Sequence, residues 1–212
     1  MIKKPTLPKQ KRAVKSRQHI LDVAVKLFAA KGPAGTRVDE IEALSGLNKQ
    51  RIYAYFSSKE NLYREALLKI YSTAIEQDKL LTLSDKNIPD MTEAILNSFF
   101  DFHEKNPRFW RLLAWDNLNG GGTLTAKDWG TVQSNYLKNL SYLYGKGQEQ
   151  GYFKKDVSFT TYLISLFAVS FFYFSNQITI SNLLNLNLKG QNTKEKFIEE
   201  VLRIITAGCV AQ

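Results

Sequence analysis

The sequence predicts an all-α fold: an N-terminal three-helix helix-turn-helix domain joined to a C-terminal helical bundle, about nine helices in total. Apolar residues recur at helical spacing along most of the chain, and convincing strand alternation is absent. Glycine, proline and N-capping residues punctuate that periodicity at intervals suited to helices. All the excess positive charge lies at one end. The first 64 residues carry 14 Lys and Arg against 5 Asp and Glu, and the remainder carries 15 of each. Such segregation suits a polyanion-binding module attached to an electrically neutral one.

Residues 1–13 hold two prolines, several lysines and few apolar groups, and read as a flexible basic arm. No apolar run follows them, so they lack the pattern of a secretory signal. Ile20, Ala24, Leu27 and Phe28, with Leu21 beside them, share one helical face, and Gly32-Pro33 stops that helix. Thr36 with Asp39 has the spacing of a capping box and opens a short second helix through Val38, Ile41 and Leu44. Gly46 breaks it. Asn48 caps a third helix over residues 49–56, and Ser57 with Glu60 forms a second capping box at the start of a long fourth. Beyond these, helices are expected near 90–105, 107–118, 125–150, 158–177 and 193–210, separated by Pro89, Asn106-Pro107 and the run of glycines at 120–122. This places domain limits at 1–13 for the arm, 14–64 for the helix-turn-helix and 65–212 for the bundle.

Two helices of about two turns, joined by the three-residue Gly46-Leu47-Asn48 turn, have the layout of a DNA-binding helix-turn-helix. Ile52 and Phe56, four apart, face the core. Lys49, Gln50 and Arg51 are then left on the first exposed turn of the second helix, which meets base edges in such motifs. Arginine fits the acceptor pair of guanine, and glutamine fits the donor and acceptor of adenine. The bland readings are surface charge for Lys49 and Arg51, partial core for Tyr53 and a simple cap for Thr36. Lys3, Lys4, Lys9, Lys11, Arg12, Lys15 and Arg17, with no acid among residues 1–17, suit phosphate or minor-groove contact as well as a solubilising tail.

The residues Ile20-Leu21, Ala24, Leu27-Phe28, Gly32, Thr36, Ile41, Ser45-Gly46-Leu47-Asn48, Ile52-Tyr53, Tyr55-Phe56 and Ser58-Lys59-Glu60-Asn61-Leu62 together resemble the TetR family of bacterial regulators over residues 14–64. The pattern departs at Glu42, where alanine is usual, and at Gln50, where glycine is common. The resemblance implies that Lys49, Gln50 and Arg51 read bases. It implies that Tyr53, Tyr55 and Lys59 hold the sugar-phosphate backbone, with Thr36 and Arg37 adding phosphate contacts. It further implies a homodimer through the last two helices, a two-fold (palindromic) double-stranded DNA operator, and an interior cavity for a small-molecule effector.

The C-terminal two-thirds is aromatic-rich. The helix after Pro107 is apolar nearly all round and is expected to be buried. Tyr71, Trp110, Asn117, Phe167 and Phe171 are candidates for lining an effector pocket, each with simple core packing as the bland alternative. Residues 157–188 contain no charge, but their strongly apolar part spans only residues 162–174. A membrane-crossing helix needs about 20 apolar residues, so a buried or interfacial helix is the expectation, with no membrane partner. The single cysteine, Cys209, excludes an intramolecular disulfide and favours a reducing, cytoplasmic setting.

An enzyme is disfavoured. His19 and His103 lack partners at metal or nucleophile spacing, and Gly120-Gly121-Gly122 lacks the lysine of a phosphate-cradling loop. No cofactor is expected. The functional reading is a sequence-specific transcriptional regulator, a repressor released by an effector. The alternative is a nonspecific architectural DNA-binding protein without one.

Overall fold

The computed structural model describes residues 9–78, 83–132 and 135–211, and among them the secondary structure is helical apart from one isolated antiparallel bridge between Phe153 and Val210. The chain divides into two units, the first comprising Met1–Tyr71 with Arg111–Asp128, the second Ser72–Trp110 with Trp129–Gln212.

In the first unit α1 (Lys9–Gly35) is broken at Gly32, whose φ of 71° leaves the helical region. That conformation suits glycine. The space does too, because a β-carbon at Gly32 would lie 2.8 Å from the Trp115 ring. α1 begins inside the stretch expected as an arm, so residues 9–13 are helical, while residues 1–8 lie outside the described residues. α2 (Val38–Ser45) has Arg37 at its N-cap, whose backbone N–H donates to the Glu40 carboxylate at 3.1 Å. The expected Thr36–Asp39 box is therefore not formed. Thr36 is fully buried and donates its hydroxyl to the Gly32 carbonyl at 2.8 Å, bridging the break in α1. Val38 and Ile41 are buried as the spacing requires, but Leu44 is exposed, and Ser45 takes the inward place near the helix end.

Gly46, at φ 64°, ends α2 in the left-handed region and donates its N–H to the Glu42 carbonyl. α3 (Lys49–Phe56) starts as expected, with the Asn48 side chain accepting the Arg51 N–H at 3.0 Å. α4 (Lys59–Asp78) is capped one residue later than expected. Ser58 accepts the Asn61 N–H at 3.0 Å, while Ser57 takes a positive φ of 63° at the end of α3. α1 packs on α2 and α3, and α2 on α3. Ile20, Ala24, Phe28, Ile41, Ile52, Phe56 and Leu62 are essentially inaccessible to solvent. Ion pairs Arg17–Glu65 and Lys69–Asp22 link α1 to α4.

α6 (Pro107–Leu118) spans both units. Its last turns and the loop into α7 (Ala126–Val132) belong to the first. There Asp128, 4% exposed, pairs with the Arg64 guanidinium and also accepts the Thr125 N–H and hydroxyl. These bonds hold its carboxyl far below the usual range, the Arg64 bond contributing most. Phe109 and Leu112 are buried, Trp110 and Trp115 half-buried, and Leu118 is 78% exposed, so α6 is not covered all round.

The second unit is built on α5 (Met91–Lys105) packed along α9 (Phe159–Ser175), with α11 (Gln191–Cys209) against both and α8 (Asn135–Glu149) against α9. Tyr144, Phe153 and Tyr162 cluster with centroids 4.6–5.6 Å apart, and Phe100 meets Tyr173, Phe174 and Phe197. The buried tyrosines keep their polar ends satisfied: Tyr162 donates to Thr92, Tyr173 to the Leu188 carbonyl and Tyr144 to the Val157 carbonyl.

The described residues contain eleven α-helices rather than nine. One addition is α10 (Gln177–Leu184), bent 77° from α9. Its alternation of Ile and Leu with Gln, Thr, Ser and Asn gave no clear helical stripe, and it has no buried residue. The other is the appearance of α7 and α8 where one helix over 125–150 was expected; residues 133–134 between them lie outside the described residues. Among the described residues no single helix is long and apolar enough to cross a membrane, although α9 and α10 taken as a bent pair have the length and composition.

Candidate nucleic-acid interface

α3 presents two faces of opposite chemistry. Ile52 and Phe56 are 1% and 0% exposed and anchor the helix. The cation–π contact of Arg17 with the Phe56 ring, 4.8 Å from its centroid, adds to that anchorage. On the other face Lys49, Gln50, Arg51, Tyr53 and Ala54 are exposed. The exposed side chains of this helix are therefore carried on a backbone whose roll is fixed by two buried hydrophobic anchors.

Each expected contact residue has its own setting. Arg51 makes no ion pair among the described residues, and its N–H is spent on the Asn48 cap. Lys49 pairs with Asp39 of α2, and that bond raises its pKa, so the ammonium is charged and already tethered. Both partners are well exposed, and exposed pairs of this kind are easily exchanged for a phosphate. Tyr53 is 42% exposed. Tyr55 is half-buried and sets its ring edge-on to Phe56 at 6.3 Å. Lys59 lies in the first turn of α4 and donates to the Thr36 carbonyl at 3.2 Å. Lys59 thus belongs to the first turn of a helix, the end at which an anion is favoured. Arg37 is exposed at the start of α2. Thr36 is the exception: its buried, engaged hydroxyl leaves no side-chain donor for a phosphate.

The comparisons with known proteins decide what carries this arrangement. Residues 20–66 match the sequence model described as bacterial regulatory proteins of the tetR family. Residues 90–205 match the tetracyclin repressor-like C-terminal domain. The chain belongs to the TetR family. It is 27% identical over 188 residues to the HTH-type transcriptional repressor NicS of Pseudomonas putida, covering 88% of this chain and 89% of that one. It is 31% identical over 137 residues to the HTH-type transcriptional repressor SCO4008 of Streptomyces coelicolor, covering 64% and 66%. A TetR family transcription regulator from Marinobacter aquaeolei has the same fold, with a TM-score of 0.72 at 17% identity over 96% of this chain and all of that one. This TetR-family chain is accordingly a DNA-binding transcriptional regulator, and the relatives it matches are regulators, not enzymes.

The candidates for an effector pocket are divided. Phe167 and Phe171 of α9 stack with centroids 5.7 Å apart in the second unit, where Trp110 also packs against the core. Tyr71 and Asn117 belong to the first unit. Tyr71 is half-buried there, its hydroxyl pushed up to about 12 by burial and then by the Asp116 carboxylate. Asn117 is exposed in the last turn of α6 and does not face an interior, which corrects the expectation for that residue.

Four features escaped the sequence. The Lys49–Asp39 tether joins two helices whose relative roll no spacing rule gives. Trp115 against Gly32 and Asp128 against Arg64 join residues 83 and 64 apart in sequence. His103, which lacks partners at metal or nucleophile spacing, is fully buried, with Nδ1 3.1 Å from the Ser170 hydroxyl. Its place on the inward face of a helix containing Ile95, Leu96 and Phe102 was the available signal.

Proposed function

We propose that this TetR-family regulator is a homodimeric, cytoplasmic repressor that reads a palindromic operator and is released from it by a small molecule bound in the second unit. The observation that carries the reading is the first turn of α3, where Lys49, Gln50 and Arg51 stand exposed on a helix fixed by Ile52 and Phe56. Lys49, Gln50 and Arg51 read base edges, while Arg37, Tyr53, Tyr55 and Lys59 hold phosphates. The helix-turn-helix domain is taken as residues 14–64 and the effector and dimer domain as 65–212. The two repressors matched by sequence, NicS and SCO4008, support the sign of regulation.

Dimerisation is supported by the last long helices. Ile164 and Phe172 of α9 are 60% and 53% exposed, and Ile204 of α11 is 71% exposed with Ala207 beside it. Ala168 continues the α9 stripe at helical spacing. Covering that stripe with the same stripe of a second copy is the two-fold solution. It would set two reading heads on half-sites about 34–36 Å apart or a multiple of that. Trp110, Phe167 and Phe171 are the effector-lining group in this reading. An effector that prefers a dimer with misplaced heads must weaken DNA binding, and DNA must weaken effector binding equally.

Selecting bound sequences from a random duplex pool, then titrating the winner and a scrambled duplex, tests the reading. A two-fold symmetric winner preferred over the scramble by about 10³-fold or more supports it. Equal affinity for both duplexes, with no enrichment, returns the architectural alternative.

A further inference from the structure

Among the described residues of the second unit, His103 is a fully buried titratable side chain whose polar atoms are not all paired. It is 0% exposed, and its Nε2 has no hydrogen-bond partner among the described residues. The ring is enclosed by Phe167, Phe109, Phe171 and Phe174, with centroids 5.2, 5.8, 6.1 and 6.3 Å away. Burial drives its pKa down to about 4, so it is neutral at physiological pH.

The tautomer depends on how the hydroxyl beside it is shared. Ser170 has one hydroxyl hydrogen and two acceptors within reach, the Phe167 carbonyl one turn back at 3.0 Å and His103 Nδ1 at 3.1 Å. With that hydrogen on the carbonyl, the arrangement taken here, the Ser170 oxygen accepts from Nδ1 and the imidazole proton sits on Nδ1. In that tautomer Nε2 is a bare lone pair on a ring surrounded by aromatics. A buried acceptor left without a donor keeps its full desolvation cost, and each such group in a native structure calls for an explanation.

We propose that His103 Nε2 is the acceptor of a ligand site in the second unit, filled by an uncharged aromatic molecule that donates an O–H or N–H to it. The assignment rests on the reading of this unit as the effector domain, and it names the chemistry that domain selects. The flat rings favour a flat apolar body, stacked or edge-on. The surroundings named above are rings and one already engaged hydroxyl, so a charged ligand would be desolvated without a counter-charge there. An acceptor-only ligand would set two lone pairs against each other. Phe167 and Phe171 are only half-buried, and their side chains are the ones that turn aside to admit the guest. Ser170 is the positioning residue, holding the proton on Nδ1.

The chain has only two histidines, so the test is direct. Full-length protein is labelled with ¹⁵N-histidine, and a His19→Gln variant separates the two signals. Without ligand at neutral pH, His103 is expected as the neutral Nδ1–H form. Three donors (phenol, indole and benzyl alcohol) are then titrated against their donor-less counterparts toluene, benzothiophene and ethylbenzene. At least one donor should shift the Nε2 resonance and bind about tenfold tighter than its counterpart, the usual size of one added hydrogen bond. His103→Phe, which keeps the cage apolar and folded, should abolish that preference, and Ser170→Ala should weaken it.

An Nε2–H tautomer, equal binding within every pair, binding by no donor, or an Nε2 satisfied by a permanently bound water each overturn the proposal. Release of operator DNA by the bound probe is scored in a separate titration. A probe that binds Nε2 without releasing DNA leaves the site standing and defeats the effector reading instead.

Discussion

α3 and α9 both leave part of their surface uncovered, and the two surfaces are opposites. α3 turns two hydrophobic anchors inward and offers lysine, glutamine, arginine and tyrosine to solvent. α9 lies in a stretch of 32 residues, 157–188, without a single charge and offers isoleucine and phenylalanine. A nucleic acid neutralises the first kind of surface through its phosphates. In the proposed dimer a second copy of the chain removes the second kind from water. The comparison teaches that exposure alone says little. The chemistry of what is exposed, on a helix otherwise well anchored, points to the partner.

The anchors give the largest effect. Phe56→Ala should cost about 3–5 kcal/mol in urea unfolding, because a fully buried ring leaves a cavity. Phe172→Ala should cost less than about 1 kcal/mol in the dissociated chain and act mainly on the monomer–dimer equilibrium in sedimentation. Similar losses for both in the dissociated chain would erase the distinction between anchor and offered face.

Next comes the pH dependence of the second unit. His103 has its folded pKa near 4, below its ordinary 6.5. As pH falls from about 6.5 the unfolded chain takes up a proton that the folded chain refuses, so stability drops through that window and is fully present above it. The contribution by pH 4 is about 3 kcal/mol. His103→Phe should flatten that part of the stability profile measured by urea unfolding from pH 4 to 8, and an unchanged slope would show that His103 is solvated.

On the reading head, Arg51→Ala should lose about 1–3 kcal/mol of operator affinity and relax preference at one base step. Lys59→Ala should weaken operator and scramble alike and lower the salt slope by about 0.9. The smallest effect belongs to Asp39→Asn. Freeing Lys49 from an exposed pair should raise DNA affinity no more than a few-fold in the same titration; a large loss would mean that Asp39 itself shapes the interface.

Much of the first unit was legible in the sequence because its signals are local. Asn48, Gly46 and the Ile52–Phe56 spacing each act within one turn, and α3 begins and ends where they say. The caps of α2 and α4 were misjudged by a residue because Thr36 and Ser57 match the cap composition while tertiary contacts decide which neighbour takes the place. Thr36 is drawn inward by the break at Gly32, which Trp115 fixes from far along the chain. The second unit was legible as helices but not as a site. Which ring faces His103, and whether Asn117 points in or out, depends on how helices roll against one another, and apolar faces as broad as those of α6 and α9 leave that roll unspecified.

Operator titration of the Lys49→Ala, Arg51→Ala, Lys59→Ala triple variant is the most direct measurement, with urea unfolding run alongside to show that the fold survives. A folded triple variant should bind the selected duplex at least about a hundredfold more weakly. Wild-type affinity in that folded protein would mean that the exposed turn of α3 does not hold DNA.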